Sequence, residues 1–177
     1  ARRVETLTTI FQIYMDLELA ANSSTRLPSG DRTALSAAVE TLGNLAKKYN
    51  RRDDLILLID DTEISIPTRY LSIILSELVD NALKFSLSET PVTVRNEVSE
   101  DCLTLSVHSL GQAMTATQIA KIDDSIQFDR KAYEPSNDGV GLKIVKRIVS
   151  LMNGQLMIAS DNQQGTMVHI MLPLTDD

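Results

Sequence analysis

The chain has 177 residues and a mass of 19.5 kDa, enough for one ordinary domain or a small domain with an appendage. Apolar residues make up 43%, aromatic residues 4% and Trp none, which excludes wholesale disorder and requires an aliphatic core. The net charge of −7 argues against general nucleic-acid binding, and the single cysteine, Cys102, excludes an internal disulfide or a cysteine-built zinc site.

The charge is unevenly spread. Residues 1–52 carry eight Lys/Arg against five Asp/Glu, or +3, whereas residues 53–177 carry nine against nineteen, or −10. No apolar run approaches the roughly 18 residues that span a bilayer, and no signal peptide is visible. A reducing, cytoplasmic setting is therefore expected, with no membrane span in this chain. The start at Ala1 suggests a piece of something longer.

Two helical patterns open the chain. Val4, Leu7, Phe11 and Tyr14 recur at steps of three and four, with Ile10, Ile13 and Leu17 widening the stripe. Asn22–Gly30 is a turn by composition, and Asp31 suits the cap of a second helix with Leu35, Ala38, Val39, Leu42, Leu45, Ala46 and Tyr49 as its stripe. The pair reads as an antiparallel hairpin over residues 1–52. Its stripes are wider than one helix contact needs, so a second hairpin or the rest of the chain must cover them.

After Arg51-Arg52 the pattern changes. Leu55–Ile59 (LILLI) reads as a buried strand, followed by an extended piece near Ile64. Pro67 suits the first turn of a long helix ending near Phe85, with Leu71, Ile74, Leu75, Leu78, Val79 and Ala82 inward. Strands are predicted at 92–98 and 103–107, a short helix at 115–122, and a polar irregular stretch at 123–138. A helix after Gly139 runs to Met152 and precedes strands at 156–160 and 167–172.

Two segments carry chemistry. In Ser76–Ser86 (SELVDNALKFS), Glu77, Asp80, Asn81 and Lys84 share one face of the long helix. A carboxylate, an amide oxygen and a lysine so placed could hold magnesium and a polyphosphate, though the spacing equally suits a solvated helix face. Asn137-Asp138-Gly139-Val140-Gly141-Leu142 stands directly before a helix, where glycines and free N–H groups attract phosphate. A lone Gly-x-Gly also fits tight loop packing. Gly165-Thr166 reads as a turn.

In combination and order these segments resemble the ATP-binding catalytic domain of two-component sensor histidine kinases, over roughly residues 53–177. SELVDNALKFS is similar to that family's asparagine box, IQFDRKAYE to its phenylalanine box and lid, and NDGVGLKIVKRIV to its second glycine box. LMNGQLMIASDNQQGTMVHIMLPL is similar to its C-terminal end. The resemblance implies an α+β fold, a two-layer α/β sandwich preceded by the helical hairpin, with ATP and Mg as ligands. It implies that Asn81 coordinates magnesium, Glu77 acts catalytically at the phosphate end and Lys84 neutralises phosphate charge. Gly139, Val140, Gly141 and Leu142 would close over the triphosphate, Phe128 and Arg130 would belong to the lid, and Thr166 would lie near the adenine pocket.

Three departures qualify what the resemblance implies. The first glycine box, Asp-x-Gly-x-Gly in the family, is here Ser109-Leu110-Gly111-Gln112-Ala113. Only Gly111 is kept, and a serine replaces the carboxylate that accepts a hydrogen bond from the adenine amino group. Losing such a charge-assisted bond costs about 1.5–3 kcal/mol, or roughly ten- to hundredfold in affinity. Asn137 replaces the opening glycine of the second box and can still adopt a left-handed conformation. Finally, the hairpin stands where the family places its dimerisation and phosphoacceptor helices, yet the two histidines, His108 and His169, both fall in predicted strands. They are expected to be structural.

The expected function is a histidine-kinase-like signalling domain of a bacterial two-component pathway. It would dimerise through residues 1–50 and dock a partner such as a receiver domain, with weakened or lost ATP turnover. The alternative is an active Mg-ATP-binding domain that phosphorylates a histidine on a partner. A histidine phosphotransferase is excluded for want of a histidine on the hairpin.

Overall fold

The computed structural model describes residues 12–13, 15–19, 33–61, 63–64, 66–123 and 140–174. Its organising element is a five-stranded sheet of β2 (Leu55–Leu58), β4 (Val92–Val98), β5 (Cys102–Ser109), β6 (Gln155–Asp161) and β7 (Gly165–Pro173). The order is β2-β4-β5-β7-β6, with β2 parallel to β4 and the other neighbours antiparallel. Val92 and Val94, then Leu103, Leu105 and Val107, then Val168, Ile170 and Leu172 alternate inward and are buried. The period of two thus gives one dry face and one open face.

Helices cover the dry face. Helix α1 (Val39–Lys48) follows a 3-10 turn at Leu35–Ala38; α2 spans Thr68–Phe85, α3 Ala116–Asp123 and α4 Val140–Leu151. In α2 the residues buried include Leu71, Ile74, Leu75, Leu78 and Val79, as the helical period predicts, and in α4 they are Leu142, Ile144, Val145, Ile148 and Val149. Pro67 stands just before the first turn of α2, where its carbonyl accepts from the Tyr70 and Leu71 amides at 2.9 and 3.2 Å. Asn153, with φ of 55°, turns the chain out of α4. The result is an α/β sandwich of two layers, as expected.

Two features differ from the sequence reading. The run Leu55–Leu58 is not buried on both faces: Ile56 and Leu58 are 42% and 48% exposed. It is an edge strand of a sheet with one open face, so only Leu55 and Leu57 turn to the core. A continuous apolar run cannot announce that by itself.

The second helix of the expected hairpin is also a layer of this same body. Thr33–Ala34 forms a two-stranded antiparallel ladder, β1, with Glu63–Ile64, β3. The Thr33 hydroxyl donates to the Ile66 carbonyl at 2.6 Å, tying that ladder to the entrance of α2. Leu35, Ala38, Leu42 and Ala46 then join the core of α2 and the sheet. Residues 15–19 are helical as well, and Leu17 is fully buried in that core. Asp16 pairs with Arg69 of α2 at 2.8 Å and Glu18 with Arg147 of α4 at 3.0 Å. Leu17 is worth about 1.5–3 kcal/mol by burial, whereas a largely exposed ion pair contributes at most about 1. Among the described residues, Leu17, Leu35, Ala38, Leu42 and Ala46 of these stripes are thus covered within the chain. Met15, Leu19 and Val39 remain exposed. The stripe positions Val4 to Phe11, Tyr14 and the Asp31 cap lie outside the described residues.

Candidate functional site

The long helix α2 delivers Glu77, Asp80, Asn81 and Lys84 on one flank, since its other flank is committed to the core. Glu77, Asp80 and Asn81 are half-buried, while Lys84 is exposed with its ammonium 4.8 Å from the Phe85 ring centre. The Tyr49 hydroxyl, just past α1, donates to Asp80 Oδ1 at 2.9 Å. Burial, then that hydrogen bond, then the charges of Asp80 and Glu77 push the Tyr49 phenol up to about 12. Burial first, and the neighbouring Asp80 charge second, hold the Glu77 carboxyl above its usual range.

Helix α4 brings the second glycine segment against this flank. A Cβ added at Gly141 would run into the Glu77 carboxylate, with Glu77 Cδ only 3.0 Å away. The close approach that a glycine at a helix start permits is thus used here by a carboxylate from α2. Val140 is half-buried and Leu142 buried in the core. Gly139, Arg130, Phe128 and the stretch expected to form a lid, beyond Asp123, lie outside the described residues.

At the far end of the sheet Ser109 closes β5. It is 7% exposed, on the dry face, and sits opposite Thr166 of β7. The Thr166 and Ser160 hydroxyls are 2.6 Å apart, and Ser160 Oγ accepts the Met114 amide at 2.9 Å. Strand ends of β5, β6 and β7 and the loop after β5 therefore meet in a cluster of hydroxyls. Gly111 lies beside it for a different reason: a Cβ there would strike the Phe85 carbonyl and the Ser86 backbone. The Leu87 amide donates to the Leu110 carbonyl at 2.9 Å, and the Gln112 amide to the Phe85 carbonyl at 3.3 Å. Gly111 thus locks the loop after β5 onto the end of α2.

Sequence reasoning did not single out Ser160, Met114 or Arg51. Arg51 is buried and forks across the C-terminal end of α2. Its Nη1 donates to the Leu83 carbonyl at 2.8 Å and to Ser86 Oγ at 2.7 Å, and its Nη2 to the Leu87 and Thr90 carbonyls at 2.7 and 3.0 Å. Its Nε meets Asp54 Oδ2 at 2.6 Å. Carbonyls left without partners at a helix end are here satisfied by a guanidinium. The only hint in the sequence is the Arg51-Arg52 pair at the change of pattern.

A sheet with helices on one face, α2 and α4 meeting at Glu77 and Gly141, and a hydroxyl cluster at the strand ends define the geometry. Residues 66–176, more than half of the chain, match the family model described as histidine kinase-, DNA gyrase B-, and HSP90-like ATPase. The chain belongs to that family. Among curated proteins it is 29% identical over 134 residues to the heme sensor protein HssS of Staphylococcus saprophyticus, covering 71% of this chain and 29% of that one. It is 26% identical over 124 residues to the adaptive-response sensory kinase SasA of Synechococcus elongatus, covering 66% and 32%. The chain thus spans about a third or less of the length of these relatives. Among solved structures, the Acinetobacter baumannii histidine kinase AdeS superposes with a TM-score of 0.72 at 20% identity, over 99% of this chain and 82% of that one. The mycobacterial sensor histidine kinase MprB gives 0.65 at 19% identity, over 81% of this chain and 97% of that one. The histidine-kinase type of ATPase fold is shown, and residues 66–176 are an ATPase domain of that family. Among the described residues no helix is long and apolar enough to cross a membrane.

Proposed function

We propose that this ATPase domain, which begins near Thr33, binds Mg-ATP chiefly by its phosphate end and grips the base weakly, so that turnover is slow. The observation that carries this reading is the contact of Glu77 with Gly141, which joins α2 to the start of α4 in the order the family's motifs require. The donor set fits the ligand. Carboxylate and amide oxygens four residues apart on one helix suit magnesium, which takes oxygen ligands and keeps several waters. Asn81 would hold the ion, which supplies neutralisation of phosphate charge. Glu77 would orient the terminal phosphate, Lys84 would offset a further phosphate charge, and Gly139 to Leu142 would present backbone N–H groups.

At the base end, Ser109 offers a short neutral hydroxyl where the family's carboxylate would stand. Thr166 and Ser160 satisfy one another rather than point to a ligand. This supports weak discrimination among bases. Any histidine that receives a phosphoryl group would lie outside these 177 residues, on a partner in the reading proposed here, because His108 and His169 lie on the open face of the sheet, away from α2 and α4. We further propose that a receiver domain is the docking partner and that the setting is cytoplasmic. Dimerisation through residues 1–50 would use Met15, Leu19 and Val39, the exposed apolar residues described there. Light scattering of the intact chain at tens of micromolar should then give a dimer, and a monomer would remove this part of the reading.

Isothermal titration with ATP and magnesium tests the core of the proposal. The expected result is binding that is lost in Asn81→Ala and in the absence of magnesium. Absence of binding by the parent protein would favour an interaction module that has given up nucleotide.

A further inference from the structure

The open face of the sheet is not a uniform polar surface. Along β7, Val168, Ile170 and Leu172 point to the helices, so Met167, His169 and Met171 point outward. The register sets Met157 of β6 opposite His169, and His108 of β5 opposite Met167. The alternation of β5 and β6 turns both of these outward too. Three of the six methionines and both histidines of the chain therefore share one patch on three adjacent strands. Met157 is 48% exposed, so its thioether is accessible to solute.

The spacing lets these donors converge. Directly opposed residues have Cβ atoms about 4.5–5.5 Å apart, and successive same-face residues on one strand are about 7 Å apart. A methionine has three rotatable bonds with which to close such distances. One donor is already oriented. His108 Nε2 lies 2.8 Å from the Gln164 carbonyl, which can only accept, so Nε2 is the donor and Nδ1 is the nitrogen left to face a ligand. The carbonyl is itself positioned, because Asp161 Oδ1 accepts the Gln163 and Gln164 amides at 2.7 and 2.5 Å and fixes the β6–β7 turn. An imidazole held through its other nitrogen by a backbone carbonyl is the usual supporting arrangement of a metal-ligating histidine.

We propose that this face binds a soft monovalent transition-metal ion of the Cu(I) class, with His169, Met157 and Met167 as the core donors and His108 completing the set. Thioethers select Cu(I), imidazole accepts it, and the patch offers no carboxylate among these donors, so hard cations have nothing to prefer there. The site lies on the opposite face of the sheet from α2 and α4, independent of nucleotide. None of its ligands belongs to the proposed phosphate or base ends.

The test is an anaerobic titration of Cu(I) against the chromogenic chelator bicinchoninate, using the whole chain with Cys102→Ser to remove the thiol. The expected result is one Cu(I) per chain withdrawn from the chelator. Met157→Leu, Met167→Leu and His169→Gln should each weaken binding by about tenfold or more, with Zn(II) bound less tightly than Cu(I). These side chains face outward, so circular dichroism should not change. In a second measurement, Ag(I) should move the methyl resonances of Met157 and Met167 and leave those of Met114 and Met152 in place. Failure to withdraw Cu(I), binding unchanged by the two leucine variants, or Zn(II) bound as tightly through the histidines alone would each overturn the proposal.

Discussion

The two regions proposed to meet the phosphates and the base are built by different means. At the phosphate end two helices meet, and a carboxylate from α2 occupies the space that Gly141 leaves. Glu77, Asp80 and Asn81 stand there half-buried on a helix and Lys84 is exposed, with the Glu77 carboxyl held above its usual range chiefly by burial. At the base end, strand termini and a loop meet through neutral hydroxyls that bond to each other and to the Met114 amide. A nucleotide carries most of its charge on the phosphates. On the proposed reading, magnesium on Asn81 and the Lys84 ammonium would offset that charge at one end while the other offers only neutral hydroxyls, so affinity and base selectivity would come apart.

The largest expected effect concerns the joint that holds the two ends in register. Arg51→Ala leaves Asp54 and several carbonyls at the end of α2 without their partner, and should cost about 3–5 kcal/mol in urea unfolding. Arg51→Lys should recover only part, because an ammonium cannot fork across both branches. A cost below about 1 kcal/mol would mean that the loop after α2 stands without it.

Two glycine substitutions sharpen the contrast. Gly111→Ala drives a methyl into the Phe85–Ser86 backbone, which cannot yield, and should cost about 2–3 kcal/mol of stability. Gly141→Ala meets the end of a flexible side chain, so Glu77 should swing aside and stability should change by about 1 kcal/mol or less. Its loss should appear instead in nucleotide affinity, and should largely vanish in a Glu77→Ala background. Equal stability costs at both glycines would contradict the distinction.

Ser109→Asp probes the base end alone. It should raise ATP affinity relative to GTP by about tenfold or more, the equivalent of one charge-assisted hydrogen bond. Without nucleotide the variant should be less stable, because Ser109 is 7% exposed and a carboxylate there is desolvated. Unchanged relative affinity would show that the position does not meet the base.

The smallest effect is a titration. The folded state holds the Tyr49 phenol at about 12 against an ordinary 10.0, so the fold favours its neutral form. That contribution is present below pH 10 and is lost as pH rises toward 12. Ultraviolet titration should find Tyr49 ionising late, and Asp80→Asn should bring the midpoint down only part of the way, because burial is the larger cause.

Much of this was legible in the residues. The period of α2 and α4 is long, their polar exceptions cluster, and SELVDNALKFS and VGLKIVKRIV mark the two helices that meet at Glu77 and Gly141. The base end was less legible. Ser160 and Met114 acquire a role only through the β6–β7 register, and Arg51 only through carbonyls 32 to 39 residues away. That the helix at Val39–Lys48 also packs on the sheet domain is not legible, because the ladder that leads into it is two residues long on each side. Such a ladder leaves no periodic trace. The outward position of His108 and His169 likewise follows from strand phase, which a predicted strand does not fix.

The central claim, that the phosphates rather than the base provide the grip, is tested most directly by competing ATP, GTP and inorganic tripolyphosphate for one magnesium-loaded site. The three affinities should lie within about tenfold of one another, a difference of about 1.4 kcal/mol or less. Preference for ATP over both competitors by about a hundredfold or more would contradict it.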